Sequence, residues 1–191
     1  MPDIDRLLAD LLGPDEAAAE AAASALGEAG KAAETAVLEL LDSQITEHRW
    51  WAVRTLAGMA SPPLAILTAA LGDAESEVRA AAALALAAHP SPDSINALVT
   101  ALSDEDGLVA VLAVNGLAKI GQQAVPALLE AYDVAPPRGR IQIMRALAEL
   151  KDHRAIKLMM NALEADSAAI QYWAQEGLER LGLNMVYMKP E

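Results

Sequence analysis

Two tryptophans stand side by side in "TEHRWWAVRTL" (Thr46 to Leu56), with Arg49 before them and Arg54 one turn on, in a chain that has three tryptophans. Indole rings stack flat apolar groups and attract cations, and a neighbouring guanidinium can clamp a carboxylate through two hydrogen bonds. The arrangement returns as Tyr172-Trp173 in "IQYWAQEGL". Binding chemistry is therefore on offer at two places. Catalytic chemistry is harder to find. His48, His89 and His153 are scattered without metal-ligand spacing. "SDEDG" (Ser103 to Gly107) gathers three carboxylates, but it lacks the alternating ligands and distal glutamate of a calcium loop and reads as a helix N-cap. The chain has no cysteine, hence no thiolate nucleophile, disulfide or thiolate-bound metal. There is no phosphate-binding glycine loop and no Gly-x-Ser-x-Gly elbow. The expectation is no metal, no cofactor and no catalytic residue.

Charge narrows the choice of partner. Fourteen basic residues face 27 acidic ones, a net of −13, which opposes a nucleic-acid backbone and equally an anionic membrane surface. The start "MPDIDRLLADLLGPDE" lacks the basic segment and cleavage site of a signal peptide, and no apolar run approaches the ~20 residues of a membrane span. A cytoplasmic protein that binds a protein or peptide, with neither nucleic acid nor membrane as partner, is the expectation.

The elements that position the aromatic pairs follow from a repeat. Leu26, Leu56, Leu86, Leu117, Leu147 and Leu178 are spaced by 30, 30, 31, 30 and 31 residues. Fifteen residues before each stands Leu11, Leu41, Leu71, Leu102, Tyr132 or Leu163. Each unit reads as two helices, punctuated by turn stretches such as "GPDE", "ASPPL", "HPSPDS" and "VAPPRG". A single pair cannot bury its own apolar face, so neighbours must stack. The predicted fold is all-α, an α-α superhelix of six helix pairs forming one domain over 1–182. Its units lie at about 1–29, 30–60, 61–90, 91–121, 122–152 and 153–182, with a tail at 183–191. With no phenylalanine and abundant alanine, the core must rely on close approach of backbones.

"DAESEVRAAAALALA" (Asp73 to Ala87) resembles the HEAT-like repeat of the phycobilisome-lyase type, in which an Asp is followed by Val-Arg and spaced alanines. The resemblance covers essentially the whole chain. It implies a short HEAT-like solenoid whose second helices line the concave surface. It also implies a ladder in which Arg49, Arg79 and Arg140 bond aspartates such as Asp73 and Asp104 across adjacent loops. Some relatives are bilin lyases and others are adaptors. An iron-binding HEAT-like enzyme uses His-Glu pairs, and no His-Glu dipeptide occurs here.

Taking each shared leucine as position zero, positions −8, −4, −1, 0 and +3 cluster on one side of the second helix at about 100° per residue. In the third and fourth units these are Val78, Ala82, Ala85, Leu86 and His89, then Val109, Ala113, Gly116, Leu117 and Ile120. They form the predicted core. Positions −6, −5, −2 and +2 face outward. The first unit is polar there, with Glu20, Ala21, Ser24 and Glu28. The later units carry Trp50, Trp51, Arg54, Leu84, Val111, Leu112, Asn115, Ile141, Arg145, Tyr172 and Trp173, with Lys119 and Glu149 at the margin. An outward sector this apolar predicts a partner-binding trough with aromatic anchors. Trp51 and Trp173, at the edge of the sector, have packing against a neighbouring helix as their alternative.

Three functions are open on this reading. The first is a non-enzymatic adaptor holding a partner segment with basic flanks in the trough. The second is a lyase or chaperone acting on an open-chain tetrapyrrole (a bilin) or its carrier protein, with the aromatics stacking the pigment and Arg54 or Arg145 pairing its propionates. The third is a homodimer that closes the trough. The apolar tail "MVYMKP" is expected to dock on the last repeat as a cap.

Overall fold

Local sequence places the helix ends. Asp15 accepts hydrogen bonds from the backbone N–H groups of Ala17 and Ala18 at 3.0 and 3.3 Å, which satisfies donors that the first turn would otherwise leave unpaired. Asp106 does the same for Leu108 N–H at 2.7 Å, and Asp104 accepts from Asp106 N–H at 2.8 Å. "SDEDG" is thus a capping segment. Gly30, at φ 56°, ends one helix and starts the next, and Gly121, at φ 83°, ends another and opens the 3-10 turn Gly121–Ala124. Such backbone favours a residue without Cβ.

A computed structural model of the chain describes residues 3–165 and 167–183. Its helices come in six consecutive pairs: α1 (Ile4–Leu11) with α2 (Glu16–Ala29), α3 (Lys31–Glu39) with α4 (Thr46–Ala57), and α5 (Leu64–Ala69) with α6 (Ser76–Ala88). They continue as α7 (Ile95–Ala101) with α8 (Gly107–Ile120), α9 (Val125–Tyr132) with α10 (Pro137–Leu150), and α11 (Ile156–Ala162) with α12 (Ala168–Arg180). No strand occurs among the described residues. The fold is all-α, of the α-α superhelix class. The chain forms two compact units, Met1–His89 and Pro90–Glu191.

In the first unit α4 packs between α2 and α6, and in the second α10 packs between α8 and α12. The six repeat leucines are the centre of this packing. Five are fully buried and Leu178 is 1% exposed. Val78, Ala82, Ala85, Val109, Ala113 and Gly116 are buried as expected, whereas His89 and Ile120 at position +3 are half-buried. The structure adds position −3 to the core. Ala23, Val53, Ala83, Val114 and Met144 there are all buried. Within each unit a second helix touches its own first helix and at least one adjacent second helix, so its apolar stripe is wider than one contact requires. Gln175 occupies that position in α12 and is exposed.

Small residues let these helices close up. A Cβ on Gly27 of α2 would lie 3.2 Å from the Gly58 carbonyl carbon at the end of α4. On Gly177 of α12 it would lie 2.6 Å from Met159 Cε and 3.1 Å from Ala148 Cβ. Close backbone approach does replace large rings in this core.

The loop ladder is present in part. Arg49 donates from Nε and Nη2 to the two carboxylate oxygens of Asp73, both at 2.8 Å, and from Nη1 to the Ser43 carbonyl. Arg140 departs from the pattern. It donates to the carbonyls of Ala135 and Asp133 in its own loop, because Ala165 stands where the following repeat would supply the aspartate. Arg138, two residues earlier, reaches back to the carbonyls of Asp104 and Glu105.

Gly107–Tyr132 has the length and composition of a membrane span. Gly121 breaks it into two helices, and α8 is packed by α7 and α10. The tail segment "MVYMKP" lies outside the described residues.

Candidate functional site

The outward sector carries a different chemistry in each unit. In the first, α4 presents Trp50 and Trp51 as an edge-to-face pair, with ring centroids 4.8 Å apart and planes at 79°. Their positions are not equivalent. Trp51 is 5% exposed and belongs to the core, whereas Trp50 is half-buried. Placing Trp51 in an open trough is therefore corrected. Neighbouring helix positions are about 100° apart, so one ring of such a pair turns toward the adjacent helix.

Arg54 sits one turn after Trp50, with its guanidinium 5.3 Å from the Trp50 ring centre and 5.9 Å from that of Trp51. It also reaches α2, donating from Nε to Glu20 at 3.1 Å and from Nη2 to the other oxygen of the same carboxylate. This two-point clasp makes Glu20 part of the site. Read from sequence, Glu20 belongs to an ordinary solvated face; its position −6, the slot of Trp50 and Tyr172, is the signal that could have marked it. Beside the clasp is a hollow of about 640 Å³, with Gly13 and Pro14 of the α1–α2 turn at its rim. Glu16, Glu20 and Glu47 line it together with both tryptophans and Arg54. Across the same unit Ala80 and Ala81 are half-buried and Leu84 is 56% exposed.

The second unit brings together three outward faces. Val111 and Leu112 of α8 and Ile141 of α10 are half-buried, while Asn115 of α8 is exposed. On α12, Tyr172 is 58% exposed and Trp173 half-buried, their centroids 5.1 Å apart and their planes at 76°. Arg145 of α10 crosses to α12 and lies 5.4 Å from the Trp173 ring centre. Its Nε donates to Glu149 at 3.1 Å, and neither Nη group has a partner among the described residues. Arg180 of α12 is held in the same way, Nε to Glu176 at 2.9 Å. The two arginines named for propionates thus differ. Arg54 has two of its donors on one carboxylate, while Arg145 keeps its outer donors open. Gln142, at the position that holds Trp51 and Trp173 elsewhere, has a buried Oε1 without a partner among the described residues.

The histidines have structural settings. His89 Nε2 donates to the Ala57 carbonyl at 2.8 Å, and His48 Nδ1 is 3.2 Å from Ser43 Oγ. Among the described residues no three His, Cys, Asp or Glu side chains converge in a metal-holding group.

Comparison with known proteins gives this arrangement a context. A family described as HEAT repeats matches residues 4–87 and 63–142, and one described as PBS lyase HEAT-like repeat matches 140–165. An uncharacterised phycocyanin operon protein Z of Pseudanabaena tenuis is 32% identical over 146 residues, covering 71% of this chain and 72% of that protein. A bilin biosynthesis protein, RpcF, of Synechococcus is 35% identical over 96 residues, which is 50% of this chain and 45% of the relative. Among solved structures, the complex of CpcE and CpcF of phycocyanin lyase from Nostoc matches with a TM-score of 0.54 at 20% identity, over 95% of this chain and 78% of that one. At that identity the likeness is one of fold.

Proposed function

Because the chain belongs to the HEAT-repeat family and carries repeats of the PBS-lyase type, we propose that it serves bilin attachment or delivery, as a lyase or chaperone working with a protein partner. The pigment is met by the outward face of the second unit. Relatives named for bilin biosynthesis and for the phycocyanin operon support the pathway. The observation that carries the site is Arg145, stacked on Trp173 with both Nη groups open.

An open-chain tetrapyrrole is flat, apolar across its conjugated system and anionic at two propionates. Val111, Leu112 and Ile141 supply an apolar bed, and Tyr172 and Trp173 supply rings for stacking. Arg145 and Arg180 each keep terminal donors for a carboxylate, a charge-assisted contact that fixes orientation. No side chain is assigned an acid–base role. The chain's contribution is to hold and orient the pigment while the partner presents the acceptor.

Titration with biliverdin tests this reading. Binding is expected to shift the visible band and to quench tryptophan emission at about tens of micromolar pigment. Trp173→Ala and Arg145→Gln should each weaken it several-fold. An unchanged spectrum, or binding indifferent to both substitutions, overturns the assignment.

A further inference from the structure

We infer that the hollow beside Trp50 in the first unit receives a cationic side chain, an arginine or lysine from an exposed segment of the partner protein. This rests on the reading that the chain works with a protein partner, and it separates the surface that meets protein from the one that meets pigment.

Residues 1–89 hold 14 acidic and five basic side chains, while residues 90–191 hold 13 and nine. The excess of negative charge is concentrated in the unit that contains the hollow. Within the hollow the imbalance is sharper. Glu16, Glu20 and Glu47 face one guanidinium, and Arg54 has already committed two donors to Glu20. Neither Glu16 nor Glu47 has an ion-pair partner among the described residues. An anionic ligand would meet two carboxylates that only their helix N-termini offset, and a cation would pair with them directly.

The hollow has room for an extended basic side chain, at about 640 Å³. Its wall includes the half-buried indole of Trp50, which already carries the Arg54 guanidinium at 5.3 Å and offers its remaining apolar surface to the stem of a second basic side chain. Trp50 is held in place by its edge contact with the buried Trp51 and by Arg54. A ring already ordered in the free protein loses little freedom on binding. The Arg54–Glu20 clasp closes one side, so the carboxylates left to bind are Glu16 on α2 and Glu47 on α4.

The probe is a fluorescein-labelled octapeptide of alternating alanine and arginine, read by anisotropy in 150 mM salt with the full-length chain. Its control carries citrulline for arginine, which keeps the shape and removes the charge. The arginine peptide should bind saturably and the citrulline peptide should not. Trp50→Ala should weaken binding roughly three- to tenfold, and Glu16→Gln with Glu47→Gln should do the same. Glu28→Gln with Glu39→Gln removes equal charge from other exposed sites of the same unit, and should change affinity less than about twofold. Equal losses from both charge pairs would mean a diffuse acidic surface and would overturn the site. So would displacement of the peptide by biliverdin, or binding that persists in Trp50→Ala and in the Glu16/Glu47 pair. Pigment binding read through Trp173 tests the other assignment independently, so either can fail alone.

Discussion

Trp50 and Trp51 share one helix and one aromatic contact, yet removing them should have unequal consequences. Trp50→Ala loses the edge contact at 4.8 Å and the Arg54 contact at 5.3 Å. Such interactions contribute about 0.5–1.5 and 0.5–1 kcal/mol respectively, so the cost is about 1–2.5 kcal/mol. Trp51→Ala loses the same edge contact, a longer Arg54 contact at 5.9 Å, and the burial of a side chain that is only 5% exposed. Large aromatic-to-alanine changes in cores cost about 3–5 kcal/mol. The hollow borders Trp51, so the void would open to water rather than remain empty, which favours the lower end, about 3 kcal/mol. The difference between the two variants is then about 0.5–2 kcal/mol. Urea unfolding followed by far-UV circular dichroism would show it as a midpoint gap of about 0.25–1 M, with an m-value of about 2 kcal/mol/M. Coincident midpoints would refute the division into one structural ring and one surface ring.

Gly177→Ala places a Cβ 2.6 Å from Met159 Cε and 3.1 Å from Ala148 Cβ, so Met159 must move in a tight joint. A loss of about 1–3 kcal/mol is expected, and an unchanged thermal midpoint would contradict the packing. Gly27→Ala meets the Gly58 carbonyl group of another helix, at 3.2 and 3.3 Å, whereas a Cβ on Gly58 meets Thr55 O at 3.4 Å; denaturant melts should find Gly27→Ala the more damaging. The Asp152 carboxyl is held down at about 2 by hydrogen bonds from the Arg154 guanidinium and from the Arg154 backbone N–H. Its folded value lies below its unfolded one, so its contribution is complete above about pH 4 and fades as pH falls toward 2. Asp152→Asn should therefore be less stable than the parent at pH 7, with the gap closing by about pH 2; a gap of constant size would reject the assignment.

The repeat was readable because a spacing of 30 or 31 residues survives any uncertainty about helix ends, and all six leucines that share it are buried. Faces were readable less completely. Position −3 joins the core because each second helix is pressed by its own first helix and by at least one adjacent second helix, and a helical wheel drawn for one sequence does not contain that geometry. Trp51 belongs inside for the same reason. Glu20 escaped notice because its role depends on Arg54, 34 residues away, reaching back to the preceding pair. The ladder shows the reverse case. Arg49 and Asp73 could be matched from a motif, but Arg140 turned to its own loop once no aspartate stood opposite. Local signals survive in a sequence; pairings across repeats are decided where the backbones meet.

The edge-to-face geometry of Trp50 and Trp51 has an optical consequence. Two indole chromophores this close and this inclined couple their electronic transitions. They should contribute a split circular-dichroism band in the ultraviolet that neither ring would produce alone. Trp173 has a tyrosine beside it rather than a second indole, so the split belongs to residues 1–89. The protein thus carries a native label for one of its two units. Its ultraviolet spectrum can report whether that unit unfolds with the other or ahead of it.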